Sequence, residues 1–149
     1  MIVGIPRETK TDEHRVALLP IGGELLSRDG HTVLIERGAG LDSGYDDAAY
    51  EAVGVEVVDS ADEIYRRGEL VMKVKEPQPD ELAGMRRGQT VFTYFHFASS
   101  RELTEGCLAA GIVAVAYETL RDSAGRLPLL VPMSEVAGKM SVQEGAKYL

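Results

Sequence analysis

Six short segments rich in β-branched and apolar residues recur along the chain, at residues 2–5, 32–36, 55–58, 70–75, 90–95 and 112–117, with helix-like stretches between them. Alternation of this kind is the pattern of βα units wound around a parallel sheet. Several of the segments are apolar at nearly every position rather than at alternate ones, which suits strands covered by helices on both faces. The expected fold is α/β, a doubly wound, mostly parallel sheet of the Rossmann or flavodoxin kind.

Helix signals support this division. Ser60 with Glu63, and Ser99 with Glu102, have capping-box spacing, in which the serine oxygen and the glutamate satisfy helix-end amides that otherwise lack partners. Pro20 suits the opening of the helix after the first strand, with Leu25 and Leu26 expected to face inward and Gly30 to end it. Ser134 is the expected N-cap of a final helix over residues 135–149. That helix has no glycine, proline or polar tail to close it, so the domain is expected to be incomplete there.

A length of 149 residues fits one domain able to bury a core without disulfides. The net charge of −8 argues against nonspecific binding to nucleic acid or to an anionic membrane, both of which repel such a surface. The single cysteine, Cys107, lies in an apolar stretch and reads as a buried, inert thiol. Pro6 cuts the first apolar run too short for a signal peptide, and the longest such run, 107–117, is about half of what a membrane helix requires. The cytoplasm is the expected location.

The run ERGAGLDSGYD at residues 36–46 follows a strand segment and nearly copies the glycine spacing of a dinucleotide loop. Asp42, Asp46 and Asp47 crowd the place where phosphates would sit, and the helix expected near residues 46–53 is short. The run therefore reads as a tight turn after the second strand, with Gly44 and Tyr45 letting the backbone pass close to a neighbour.

In open α/β sheets, ligands bind beyond the carboxyl ends of the strands. Cationic and titratable residues gather there in this acidic chain: Arg7, Lys10, His14 and Arg15 after the first strand, Lys73 and Lys75 at the fourth, Tyr94 and His96 at the fifth, Tyr117 and Glu118 at the sixth. An arginine clamps a carboxylate with two parallel hydrogen bonds, a lysine polarises a carbonyl as a point charge, and a histidine moves protons near neutral pH. The set suits 2-oxo or 2-amino acid chemistry.

Each has a structural alternative. Lys73 lies a residue pair deeper than Lys75 on the same strand face, so it is expected to reach an acidic partner, and Lys75 is the functional candidate. His96, between Phe95 and Phe97, is balanced between a satisfied core histidine and a catalyst. His31 at the start of a strand and His14 in the first loop read as non-catalytic, and Arg7, Glu8 and Lys10 as a solvated charge run. No histidine or cysteine pair has metal-ligand spacing, so no metal is expected. No serine sits in a nucleophile elbow.

Four stretches, GIPRETKTDEHRVALLP, VKEPQP, FTYFHFA and VPMSEVAGKMSVQEGAKYL, together resemble the N-terminal part of alanine dehydrogenases, relatives of the nicotinamide nucleotide transhydrogenases. The resemblance covers the chain in order. It implies reversible oxidative deamination of L-alanine by NAD to pyruvate, ammonium and NADH, with homo-oligomers in the whole enzyme. It further implies that Arg15 and Lys75 hold the substrate, that His96 is the general acid/base, that Tyr94 and Met133 wall the pocket, and that Ser134 touches the cofactor. Burial and nearby cations are expected to keep His96 neutral. Residues 1–149 would form an incomplete N-terminal catalytic domain, and NAD would be bound mainly by a further domain, so that these residues alone fold without turnover. A transhydrogenase alpha-subunit fragment is the alternative, disfavoured because Lys75 and His96 have no task in hydride exchange between two nicotinamides. A stand-alone small-carboxylate-binding or receiver-like domain ranks last.

Overall fold

Each apolar segment of the sequence forms a strand of one parallel sheet. The computed structural model describes residues 1–149, which run β1 (Ile2–Ile5), α1 (Pro20–Arg28), β2 (Thr32–Glu36), α2 (Asp47–Glu51), β3 (Glu56–Val58), α3 (Ala61–Arg67), β4 (Leu70–Met72), α4 (Pro79–Gly84), β5 (Thr90–Thr93), α5 (Arg101–Ala110), β6 (Val113–Ala116) and α6 (Val131–Ala146). The strand order is β3-β2-β1-β4-β5-β6 with every neighbour parallel. Order reverses at β1, which pairs β2 on one side and β4 on the other, and this opens a crevice beyond the carboxyl ends of β1 and β4.

Both faces of the central strands are buried, which accounts for the apolar runs. Along β2, Leu34 faces one core with Val71, Val91, Phe95, Ile64 of α3 and Leu103 of α5. Its neighbours Val33 and Ile35 face the other, with Val3, Ile5, Tyr50 of α2 and Val55. The edge strand β6 is only partly covered, with Val113 half exposed.

Strand β4 ends at Met72 rather than residue 75: the Lys73 amide still donates to the Phe92 carbonyl of β5, but the Glu8 carboxylate takes the Val74 and Lys75 N–H groups. The Lys75 carbonyl instead accepts the Thr93 hydroxyl at 2.8 Å. Several helix details differ from the sequence expectation. Ser60 caps α3 as expected, accepting the Glu63 amide. The cap of α5 is Ser100, not Ser99: the Ser100 hydroxyl accepts the Leu103 amide, whereas Ser99 donates to the His96 carbonyl. Helix α6 begins at Val131, with Pro132 in its first turn, so Ser134 lies inside the helix, its amide donating to the Leu130 carbonyl, and is no N-cap. Leu26 packs on the second core, but Leu25 is exposed.

The glycine run is scaffold, though its close approach falls at Gly40. A Cβ there would meet the Tyr50 ring at 2.6 Å and the Tyr45 carbonyl at 2.8 Å, while Gly44 has open space and is needed for its positive φ of 87°. Cys107 is buried, and burial pushes its thiol up. No helix is long and apolar enough to cross a membrane.

Candidate functional site at the switch point

The loop after β1 carries Arg15 to the crevice, where its geometry is set by a neighbour two residues away. Glu13 accepts from Arg15 Nε at 2.7 Å and from Nη2 at 2.6 Å, a bidentate clamp on one edge of the guanidinium. Nη1 donates to the Met133 sulfur at 3.5 Å, which ties the first loop to the start of α6. The hydrogen bonds from Arg15 hold the Glu13 carboxyl below the usual range, and Glu13 in turn raises Arg15. Arg15 therefore keeps its charge and orientation, and retains protons on its Nη groups for a further acceptor.

Two lysines follow β4 and meet different fates. Lys73 is 1 % exposed and its ammonium lies 2.8 Å from Glu81 and 3.2 Å from Glu8, both buried carboxylates. Glu81 also accepts the Tyr65 hydroxyl and the Gln78 amide, so the network is fully satisfied. Lys73 is thus structural, as its depth on the strand implies. Lys75 is half-buried, enters none of the ion pairs that hold Lys73, and lies close enough for its charge to help depress Glu13 and Glu76.

Tyr94 and His96 follow β5. The Tyr94 amide donates to the Val74 carbonyl at 3.3 Å, pinning the exit of β5 to that of β4, and its hydroxyl donates to the Leu129 carbonyl. Burial pushes the Tyr94 phenol up against the opposing pull of Arg15, which marks the two as neighbours. The Tyr94 ring meets Tyr117 edge-on at 4.9 Å and lies nearly parallel to the His96 ring at 6.0 Å.

His96 departs from expectation. Phe95 is wholly buried and stacks on Phe97 at 4.6 Å, but the histidine between them is exposed, so the burial expected to keep it neutral is absent. Its backbone turns left-handed, φ 52°, ψ 40°, at the start of a short 3-10 turn over Phe97–Ser99. The His96 amide donates to the Glu118 carboxylate at 2.7 Å. Glu118 Oε2 is buried with no partner.

Arg15, Met133, Lys75, Tyr94 and His96 thus occupy one end of the sheet, and Ser134 is exposed in the first turn of α6 beside Met133. His14 is exposed and pairs with Asp42 beside the Arg15 cleft, and His31 meets the N-terminal amine at the opposite, amino end of the sheet. The charge run after β1 is only partly solvated: Arg7 is exposed and Lys10 is half-exposed where it pairs with Glu76, but Glu8 is buried against Lys73. Nothing local in the sequence marks Glu8, because its partners lie more than sixty residues away.

A cleft of about 240 Å³ opens beside Arg15, between Glu13, His14, Ala39 and Leu41. A larger one of about 520 Å³ lies between α4 and α5, but it is lined by Glu76 and Glu102 with no lysine or arginine and would repel a carboxylate. The Gly38–Gly44 turn is closed to a pyrophosphate: Asp47 already accepts the Gly38 amide and Asp46 the Ala49 amide.

The sequence profile described as alanine dehydrogenase/PNT, N-terminal domain, matches residues 4–137. An alanine dehydrogenase of Mycolicibacterium smegmatis is 50% identical over 149 residues, covering 100% of this chain and 40% of the relative. A solved L-alanine dehydrogenase superposes with a TM-score of 0.92 at 47% identity, over 100% of this chain and 41% of that one. A transhydrogenase from Sinorhizobium meliloti gives a TM-score of 0.77 at 30% identity, over 83% of this chain and 37% of its own. The chain spans about 40% of the length of the relatives it matches. A match of this extent means that the chain belongs to the alanine dehydrogenase/PNT family and corresponds to its N-terminal domain.

Proposed function

We propose that this chain is the substrate-binding part of an NAD-dependent L-alanine dehydrogenase acting on L-alanine and pyruvate. The observation that carries the reading is Arg15: a guanidinium clamped by Glu13 on one edge, with Nη protons to spare, at the switch point where the charge of Lys75 is also felt by Glu13. A small carboxylate fits that pair. Arg15 holds the carboxylate, the Lys75 ammonium offsets negative charge developing on the carbonyl oxygen, and His96 exchanges protons with the substrate oxygen or nitrogen. Tyr94 and Met133 bound the pocket. The exposed position of His96 suits a group that must meet substrate and then water.

A bound nicotinamide cofactor would supply the hydride acceptor or donor. Within this chain we assign the exposed Ser134 hydroxyl to it rather than the Gly38–Gly44 turn, where Asp47 takes the Gly38 amide and Asp46 the Ala49 amide. We assign the rest of NAD binding to a second domain outside residues 1–149, with homo-oligomers in the whole enzyme. A transhydrogenase role is supported by one structural relative at lower identity, but it leaves Lys75 and His96 without a task.

The test is an assay of the natural full-length protein with pyruvate, ammonium and NADH, wild type against Arg15→Lys. Turnover in the wild type, with a pyruvate KM raised roughly tenfold or more in the variant, supports the reading, since lysine cannot reproduce the two-pronged contact. Hydride exchange between nicotinamides without pyruvate turnover would replace it with the transhydrogenase.

A further inference from the structure

The loop after β1 grips the segment carrying Lys75 on both sides. Glu8 Oε1 accepts the Val74 amide at 2.6 Å, and Oε2 accepts the Lys75 amide at 3.3 Å and the Lys73 ammonium at 3.2 Å. One residue further on, Glu76 is paired with Lys10 of the same loop. Lys75 thus sits between two anchors, and both come from the loop that also carries Arg15.

The inner anchor is the rigid one. The Glu8 and Lys73 side chains are 3 % and 1 % exposed, and Lys73 is braced from behind by Glu81, which Tyr65 and the Gln78 amide hold in turn. The three donors on Glu8 require acceptors on both of its oxygens. A carboxylate supplies them, whereas a glutamine would present an NH2 to one of the donors. On the β5 side the Lys73 amide and the Val74 and Lys75 carbonyls are held by Phe92, Tyr94 and Thr93, but the Val74 and Lys75 amides are held by Glu8, and a shift of about 1 Å at a substrate contact is enough to weaken it severely.

We propose that Glu8 is a positioning residue: its buried carboxylate, by accepting the Val74 and Lys75 amides, fixes the backbone under Lys75 and so sets the separation of the Lys75 ammonium from Arg15. The inference rests on the reading of Arg15 and Lys75 as the substrate-carboxylate pair. Glu8 lines the cleft beside Arg15, but both of its carboxylate oxygens are taken by the Val74 and Lys75 amides and the Lys73 ammonium, and it acts through Lys75.

The experiment uses the natural full-length protein and measures pyruvate affinity by equilibrium titration, in wild type, Glu8→Gln, Lys75→Met and the double variant. Glu8→Gln keeps the Lys73–Glu81 pair, so it retains a paired buried cation. The expected result is a roughly tenfold weaker pyruvate affinity when Lys75 is present and less than about a twofold change in the Lys75→Met background, the non-additivity of two groups acting as one. Equal losses in both backgrounds would mean that Glu8 acts on the fold in general, and would overturn the proposal. Amide exchange supplies a readout that needs no ligand: Val74 and Lys75 exchange faster in Glu8→Gln while the β1 and β2 amides keep their protection. Unchanged exchange at those two amides would also overturn it. If wild type binds no pyruvate, the functional reading falls, and the exchange result alone decides whether Glu8 anchors this segment. Glu8→Asp, which keeps the charge but shortens the reach by one methylene, is expected to behave like Glu8→Gln; wild-type affinity in Glu8→Asp would show that charge alone suffices and overturn the positioning role.

Discussion

His96 holds a left-handed backbone, φ 52°, that residues with a Cβ adopt at a cost of about 1 kcal/mol. The conformation has a local consequence: Phe95 and Phe97 both reach the core while the histidine between them turns out toward the crevice. Asparagine tolerates this backbone but cannot move a proton near neutral pH. We expect His96→Asn to leave the thermal midpoint of the full-length protein nearly unchanged while lowering turnover by roughly 10²- to 10⁴-fold; an equal fall in both would make His96 structural. Glu13 makes a second residue-scale prediction. Its carboxyl is depressed in the folded state by Arg15, so its stabilisation is fully present above the ordinary value of 4.5 and is lost as pH falls through the depressed one. The difference in urea stability between wild type and Glu13→Gln should therefore be flat near neutral pH and shrink only on acidification below about 4.5. A difference that grew on acidification would contradict the assignment.

At the scale of elements, two neighbouring serines precede α5 and only one caps it. Ser100 accepts the Leu103 amide, and Ser99 instead closes the turn after His96. Ser100→Ala should cost about 1 kcal/mol in chemical denaturation and Ser99→Ala clearly less, the reverse of what the Ser99–Glu102 spacing implies. The two sequence spacings differ by one residue, and the 3-10 turn Phe97–Ser99 consumes it. Strand β4 shows the same kind of shift: the sequence suggests a strand to residue 75, yet after the Lys73 amide has donated to the Phe92 carbonyl of β5, the Val74 and Lys75 amides turn to a carboxylate from another loop.

For the whole molecule, stability resides in the two cores on either face of β1 to β5, while α6 buries no side chain. Removing residues 135–149 should cost less than about 1 kcal/mol of unfolding free energy, as expected of surface positions without buried partners; a larger loss would show that α6 packs on the sheet in solution. The strand segments, their parallel winding and the separation of structural Lys73 from Lys75 were legible in the residues, because apolar runs, period two and proline or glycine punctuation act over a few neighbours. Likewise, Asp42, Asp46 and Asp47 argue from sequence alone that the glycine run is scaffold rather than a phosphate loop. The burial of Glu8, the exposure of His96, the contact of Arg15 with Met133 and the choice of Gly40 as the point of close approach were not legible. Glu8 stands 65 residues from Lys73, and Arg15 118 from Met133. Local sequence determined what each segment becomes, and only the order in which the sheet assembled those segments decided which distant charges are buried together and which are left open at the crevice.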